Sequence, residues 1–225
     1  MLEVLLDIET TGLSVTQDHR IVEIGCIELN DQIATNNTFH EYINPQRKVS
    51  EEAYKVHGYS DDFLSNKKKF AEIAKNFLNF INGKKIIIHN ADFDIGFINH
   101  ELRKIKIKEL DKTNVVDTLE LARKKFPGAQ NSLDALCKRY NIDNSKREKH
   151  NAIIDCQLLK EVYINLLGQK EPKLNFQNAE IVNHEFYKIK PSKKNFKRKV
   201  VEISPEELKS HKKYLSLYLN KNYFK

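Results

Sequence analysis

Apolar side chains alternate with polar ones along the start of the chain and predict strands at residues 2–9 and 20–29. The second of these reads RIVEIGCIEL, and a third strand is expected at 38–43. From Ser50 the period lengthens: Ser50 is a natural N-cap for a short helix over EEAYKV, which His57-Gly58 ends. Phe70, Ile73, Phe77, Phe80 and Ile81 recur at helical spacing. Gly83 stops that helix, and KKIIIH at 84–89 reads as a buried strand. Phe93, Phe97, Ile98 and Leu102 carry a helix over 93–104, and a strand near 113–117 ends at Asp117. Further helices are expected near 118–125, at 132–140 with Ser132 as cap, and at about 151–167, stopped by Gly168. Three strands able to form a meander, followed by alternating helices and strands, indicate an α/β layer fold with a mixed sheet.

Beyond Gly168 the pattern fails. Residues 169–199 are polar and basic without a sustained period, the mark of a flexible linker. Order is expected again over 200–225, with VVEI as a short strand and SPEELKSHKKYLSLYL as a helix that has Ser204 as cap and Pro205 in first position. The expected organisation is therefore a folded domain at 1–168, a linker at 169–199 and a C-terminal segment at 200–225.

Charge follows the same division. Of a net charge of +7, residues 170–225 hold 14 Lys and Arg against 6 Asp and Glu, while residues 1–169 hold 24 against 25. Any grip on a polynucleotide within the first 169 residues must therefore be local. The three cysteines, Cys26, Cys137 and Cys156, form no close pair. This argues against a disulfide frame or a thiolate zinc site and fits a reducing cytoplasm, with Cys26 and Cys137 as core residues. No apolar run approaches the ~20 residues of a membrane span, and no export signal is visible.

The chemistry begins in LLDIETTGL, where Asp7 and Glu9 interrupt an apolar strand. Two residues apart, they leave the strand on one face, roughly 6–7 Å from each other. Burying unpartnered carboxylates costs several kcal/mol, so a cation is expected on that face. Asp94 in HNADFDIGF and Asp155 in HNAIID supply two more acids from separate elements. An oxygen-rich set of this kind suits Mg²⁺ or Mn²⁺, and two such ions would clamp a phosphodiester. His150 precedes Asp155 by five positions, a spacing that does not share a helix face, which places it in the loop before the helix. There it suits a general base acting on the attacking water. The preceding DNSKREK is polar and helix-poor, consistent with a mobile approach.

DIETTGL, HNADFDIGF and HNAIID together resemble the three motifs of the DEDDh (DnaQ-like) 3′→5′ exonucleases, a likeness that runs over roughly residues 3–167. The resemblance implies a ribonuclease H-like fold and removal of mispaired nucleotides from a DNA 3′ end as nucleoside 5′-monophosphates. It implies that Asp7, Glu9, Asp94 and Asp155 hold two Mg²⁺ or Mn²⁺ ions and that His150 is the base. Within HNAxFD the spacing selects Asp94, and Asp92 is expected to face solvent or the DNA side. Thr10, Glu52, His57, His89 and Asn90 match the residues that line the substrate pocket. Bland alternatives stand beside them: Thr10 as a turn residue, Glu52 as a solvated helix acid, His57 as a helix-end residue. In the tail, EPKLNF resembles a sliding-clamp-binding motif: Leu174 and Phe176 match, but Glu171 stands where Gln is usual. The segment at 200–225 resembles the piece that binds the α subunit of bacterial DNA polymerase III, so the partners implied are that subunit, the β clamp and DNA. The rival enzyme is a free-standing DEDDh nuclease trimming RNA or single-stranded DNA. A non-catalytic module of the same fold is disfavoured because all five motif residues are present.

Overall fold

The structure, a computed structural model, describes residues 1–145, 147–168 and 203–218. Strands β1 (Leu2–Thr10), β2 (Ile21–Asn30) and β3 (Ile33–Tyr42) form an antiparallel meander. Strands β4 (Lys85–Ile88) and β5 (Val115–Asp117) add in parallel on the other side of β1, giving one mixed sheet in the order β3-β2-β1-β4-β5. The helices are α1 (Glu51–His57), α2 (Asp61–Ser65), α3 (Phe70–Ile81), α4 (Ala91–Lys104), α5 (Thr118–Lys125), α6 (Leu133–Tyr140) and α7 (Ala152–Leu166).

Side-chain alternation along β1 sorts the core into two layers. Val4, Leu6 and Ile8 face one way and pack with Phe70, Phe77 and Phe97 of α3 and α4. Leu5 faces the other way, with Ile27, Leu29 and Ile87, against Leu136 of α6 and Leu159 and Val162 of α7. All of these side chains are buried, including Cys26 and Cys137 as expected. The sheet is thus sandwiched between helices, with β1 at its centre.

Most expected elements are found, and the departures have local causes. β3 begins at Ile33, five residues earlier than the sequence pattern suggests. It is an edge strand whose polar stretch pairs with β2 through the backbone, after a register shift between Ile27 and Leu29. α2, capped by Ser60, is a five-residue helix too short to show a period. α4 starts at Ala91 rather than 93, because the Asp117 carboxylate accepts from the backbone N–H groups of Asn90 and Ala91 at 3.0 Å.

The chain divides into two compact units, Met1–Leu174 and Asn175–Lys225. In the second, α8 (Pro205–Tyr218) starts as expected at Pro205 behind Ser204. Glu207 N–H donates to Ser204 Oγ at 3.2 Å while Ser204 N–H donates to the Glu207 carboxylate at 3.1 Å, a reciprocal cap. The side chains of Leu208, Tyr214 and Leu217 are exposed on it. The expected linker at 169–199, with Glu171, Leu174 and Phe176, lies outside the described residues, as does most of the strand expected at 200–203. Among the described residues no helix is long and apolar enough to cross a membrane.

Candidate active site

On the face of β1 that carries Glu3 and Leu5, the second half of the strand is acidic. Asp7 and Glu9 continue the row of Leu5, so they point toward α7 and not toward α4. Across the ladder Asp7 pairs with Gly25 and Glu9 with Glu23, after which the register shifts between Glu9 and Thr10. Gly25 is what lets α7 approach. A Cβ there would stand 2.6 Å from the Ala152 carbonyl carbon and 2.8 Å from Ile153 N, closer than atoms tolerate. With no side chain in the way, the first turn of α7 lies on β2 and brings Asp155 over the two strand acids. Asp94 reaches the same place from the first turn of α4, round the end of β1. The site therefore lies at the carboxyl ends of the parallel strands β1 and β4, where the sheet changes from antiparallel to parallel pairing.

Mutual repulsion reports how close these groups are. Burial, reinforced by Asp94, Glu9 and Asp155, holds the Asp7 carboxyl well above the usual carboxylate range. Glu9 is pushed up to about 8, first by burial and then by Asp155 and Glu23, with Arg147 opposing. Burial also raises Asp94, although the Ile8 backbone N–H bonded to its carboxyl pulls the other way. Glu9, Asp155 and His150 can each present one ligand atom within 4.8 Å of the others. His150 lies outside the helix, as expected, with Nδ1 3.6 Å from Asp155 and 4.0 Å from Glu9. Burial and the nearby Arg147 keep its imidazole below the usual pKa, hence neutral near pH 7.

The guanidinium of Arg147 lies beside Asp155 and Glu9. It grips Asp155 with two bonds, at 2.5 and 2.7 Å, and reaches Asp134 at 2.7 Å and His150 Nδ1 at 3.0 Å. Arg147, three residues before His150, is thereby anchored to the site. The His150 backbone N–H adds a bond to Val56 O at 3.1 Å, on the α1 wall. Crowding and burial raise Asp7, Glu9 and Asp94, so these carboxyls favour their protonated form until a bound divalent ion displaces the protons. A donor set of carboxylate oxygens fits hard divalent ions.

All ten residues expected at the site line one cleft of about 1100 Å³. The substrate candidates have distinct surroundings. The Thr10 hydroxyl donates to Gly12 O at 2.7 Å. His57 is buried and engaged at both nitrogens: Tyr59 N–H donates to Nδ1 at 3.0 Å, so Nε2 carries the proton and donates to Thr10 O at 3.2 Å. Burial lowers its pKa. Its nitrogens are spoken for by the backbone, which leaves ring contact as its means of touching a ligand. His89, also lowered by burial, meets Thr118 Oγ1 at 2.9 Å through Nδ1. Asn90 adopts the left-handed conformation (φ 69°) at the start of α4, a region Asn tolerates, and Glu52 is exposed on the rim. Asp92 points to solvent and pairs with Lys112, outside the acid cluster.

Sequence reasoning missed Arg147, Gly25 and Asp117. Arg147 sits in a run of charged residues where nothing in residue type distinguishes it. Gly25 carried a usable signal, since glycine inside an apolar strand often marks a close approach. Asp117, which donates nothing but accepts from three backbone N–H groups including Leu119 at 2.8 Å, stood at a strand end directly before a helix, where a cap is expected.

The comparisons with known proteins agree with this geometry. Residues 4–163 match the exonuclease family model. The chain is 45% identical over 225 residues to DNA polymerase III subunit epsilon of Rickettsia conorii, covering 98% of each chain. It is 41% identical to the same subunit of Salmonella typhimurium, covering 97% of this chain and 94% of that one. Among solved structures, it resembles the nuclease domain of 3′hExo, a DEDDh family member bound to rAMP, with a TM-score of 0.65 at 17% identity over 75% of this chain and 92% of that one. Exonuclease X in complex with 5′-overhanging duplex DNA gives 0.58 at 22% identity, over 74% of this chain and 92% of that one. The four acids and His150 of this chain meet in one cleft, and its relatives extend over nearly its whole length: this chain belongs to the exonuclease family.

Proposed function

We propose that this 3′→5′ exonuclease is the proofreading subunit of a bacterial DNA polymerase III, releasing nucleoside 5′-monophosphates from a mispaired 3′ end. The observation that carries the chemistry is the convergence of Asp7, Glu9, Asp94, Asp155 and His150 in one cleft. In this reading the four carboxylates hold two Mg²⁺ or Mn²⁺ ions, which when bound make water more acidic and offset charge on the phosphate and leaving oxygen. The protein's own part is proton handling and placement. His150, kept neutral by burial and by Arg147, is in the form that can take a proton from the attacking water. His89 and Asn90, at the mouth of α4, face the scissile phosphate. Glu52 on the rim accepts from the terminal 3′-hydroxyl, and the ring of His57 bounds the sugar and base.

The tail supports the polymerase reading over that of a free-standing nuclease, because the epsilon relatives align through it as well as through the domain. Residues 200–225, with the exposed apolar side chains of α8, bind the polymerase α subunit, and Glu171, Leu174 and Phe176 engage the β clamp. Tethering of this kind raises the effective concentration of nuclease at the primer end. Through the polymerase, the enzyme works in the cytoplasm at the nucleoid.

Asp7→Ala is expected to lower Mn²⁺-dependent release of mononucleotides from a mispaired primer at least about 10²-fold, since several kcal/mol of charge stabilisation go with the ligand. Its melting temperature should not fall, because a buried carboxyl crowded by neighbouring acids is removed. Retained activity would refute the ligand assignment. Removing residues 200–225 should leave hydrolysis of short oligonucleotides intact and abolish co-purification with the α subunit; persistent co-purification rules out the tail as the tether.

A further inference from the structure

Glu23 takes no part in the chemistry above, yet its side chain has no accessible surface and lies directly across the ladder from Glu9. A carboxylate in such a place persists only when its lone pairs are taken up. Oε1 accepts from His40 Nε2 at 2.7 Å and from Asn151 Nδ2 at 2.8 Å. Oε2 accepts from the Tyr59 hydroxyl at 2.8 Å and from the Ala152 backbone N–H at 3.0 Å. Both oxygens are committed to donors from the protein, which separates Glu23 from the ligand set beside it.

The donors connect both walls of the cleft. Asn151 and Ala152 are the N-cap and first residue of α7, immediately after His150 and one turn before Asp155. The carboxylate also lies at the positive end of that helix. Tyr59 belongs to the opposite wall, where its N–H bonds to His57 and its ring stacks on the His57 ring at 4.8 Å. A single buried group on β2 thus ties together the strand of Glu9, the segment of His150 and the support of His57.

We propose that Glu23 is a positioning residue of this exonuclease, one that sets where His150 stands relative to the carboxylates by holding Asn151 and Ala152 to the sheet. The inference rests on His150 being the proton acceptor. A glutamine here would keep the shape but offer one acceptor oxygen and an N–H₂ group to four donors, so part of the clamp would be repelled.

The test uses the full chain with Mn²⁺ and a short single-stranded oligonucleotide, and compares Glu23→Gln, His150→Ala and the double variant. Glu23→Gln should lower kcat about 10- to 100-fold, the usual effect of losing a supporting partner behind a ligand, with KM within about threefold. In the His150→Ala background the same change should add less than about twofold, because the group it positions is gone. An equal loss in both backgrounds, or an undiminished kcat in Glu23→Gln alone, overturns the proposal and leaves the base assignment standing. An undiminished kcat in His150→Ala alone refutes the base assignment and this proposal with it. Should Glu23→Gln not fold, Tyr59→Phe deletes one donor and keeps the charge. A lower kcat at constant KM is then expected, and an unchanged kcat counts against the clamp.

Discussion

The two faces of the central strand make opposite use of the same backbone. On the α3–α4 face, Val4, Leu6 and Ile8 form an apolar row beneath the buried rings of Phe77 and Phe70. On the α7 face the row runs Glu3, which accepts from the Tyr163 hydroxyl at 2.9 Å, then Leu5, and then Asp7 and Glu9 opposite Gly25 and Glu23. One face is built for burial, and the other gives up apolar contact in its second half to gather acids whose charged forms burial disfavours. Stability and activity are thereby segregated by the two-residue period of a strand, with less than the thickness of a sheet between them.

That segregation is open to attack from the side that should matter most for stability. Phe77→Ala should destabilise the fold by about 3–5 kcal/mol, read as a lower melting temperature, while activity per folded molecule stays near its original value. A matching loss of activity would show that the faces are not independent. Gly25→Ala attacks the face that carries the site. Its new methyl must push the start of α7 off β2, at about 1–3 kcal/mol, and move Asp155 with it. Here activity per folded molecule should fall by ~10-fold or more, since small displacements of reacting groups weigh heavily. A variant as active as the parent would show that α7 can settle without moving its acid.

A further effect is expected from pH. Asp7, Glu9 and Asp94 titrate higher in the folded chain than in the unfolded one, Glu9 at about 8. Their folded state therefore holds protons that the unfolded state has released, and its advantage is complete below an unfolded pKa of about 4 and fades as pH rises toward 8. In EDTA the melting temperature should decline from pH 5 to pH 8, and the gain on adding Mn²⁺ should grow over the same range. A gain independent of pH would disconnect the ion from these acids. Phe77 and its neighbours, having nothing to titrate, contribute no such slope.

Much of this was legible in the chain because it is periodic or local. The alternation that exposed the faces of β1, the caps at Ser50, Ser132 and Ser204, and the spacing of Phe70, Ile73 and Phe77 all rest on neighbours a few positions apart. The short α2 and the polar start of β3 were not legible, the first for lack of length and the second because backbone pairing with β2 decides an edge strand. At the site, the five motif residues were found from residue type and order. Arg147 was not, because an arginine among lysines and glutamates announces its partner only in three dimensions.

Taken alone, the sequence determined that two carboxylates share a strand face, that two more wait on separate elements, that His150 precedes a helix, and that positive charge is concentrated after residue 169. Only the tertiary structure decided that α7 lies on Gly25, that Arg147 closes on Asp155, that His57 spends both nitrogens on the backbone, and that Glu23 joins the two walls of the cleft. The reason is the range of the forces involved. Period and propensity act between residues close along the chain, whereas close packing, desolvation and charge pairing act between residues that folding alone brings within a few ångströms.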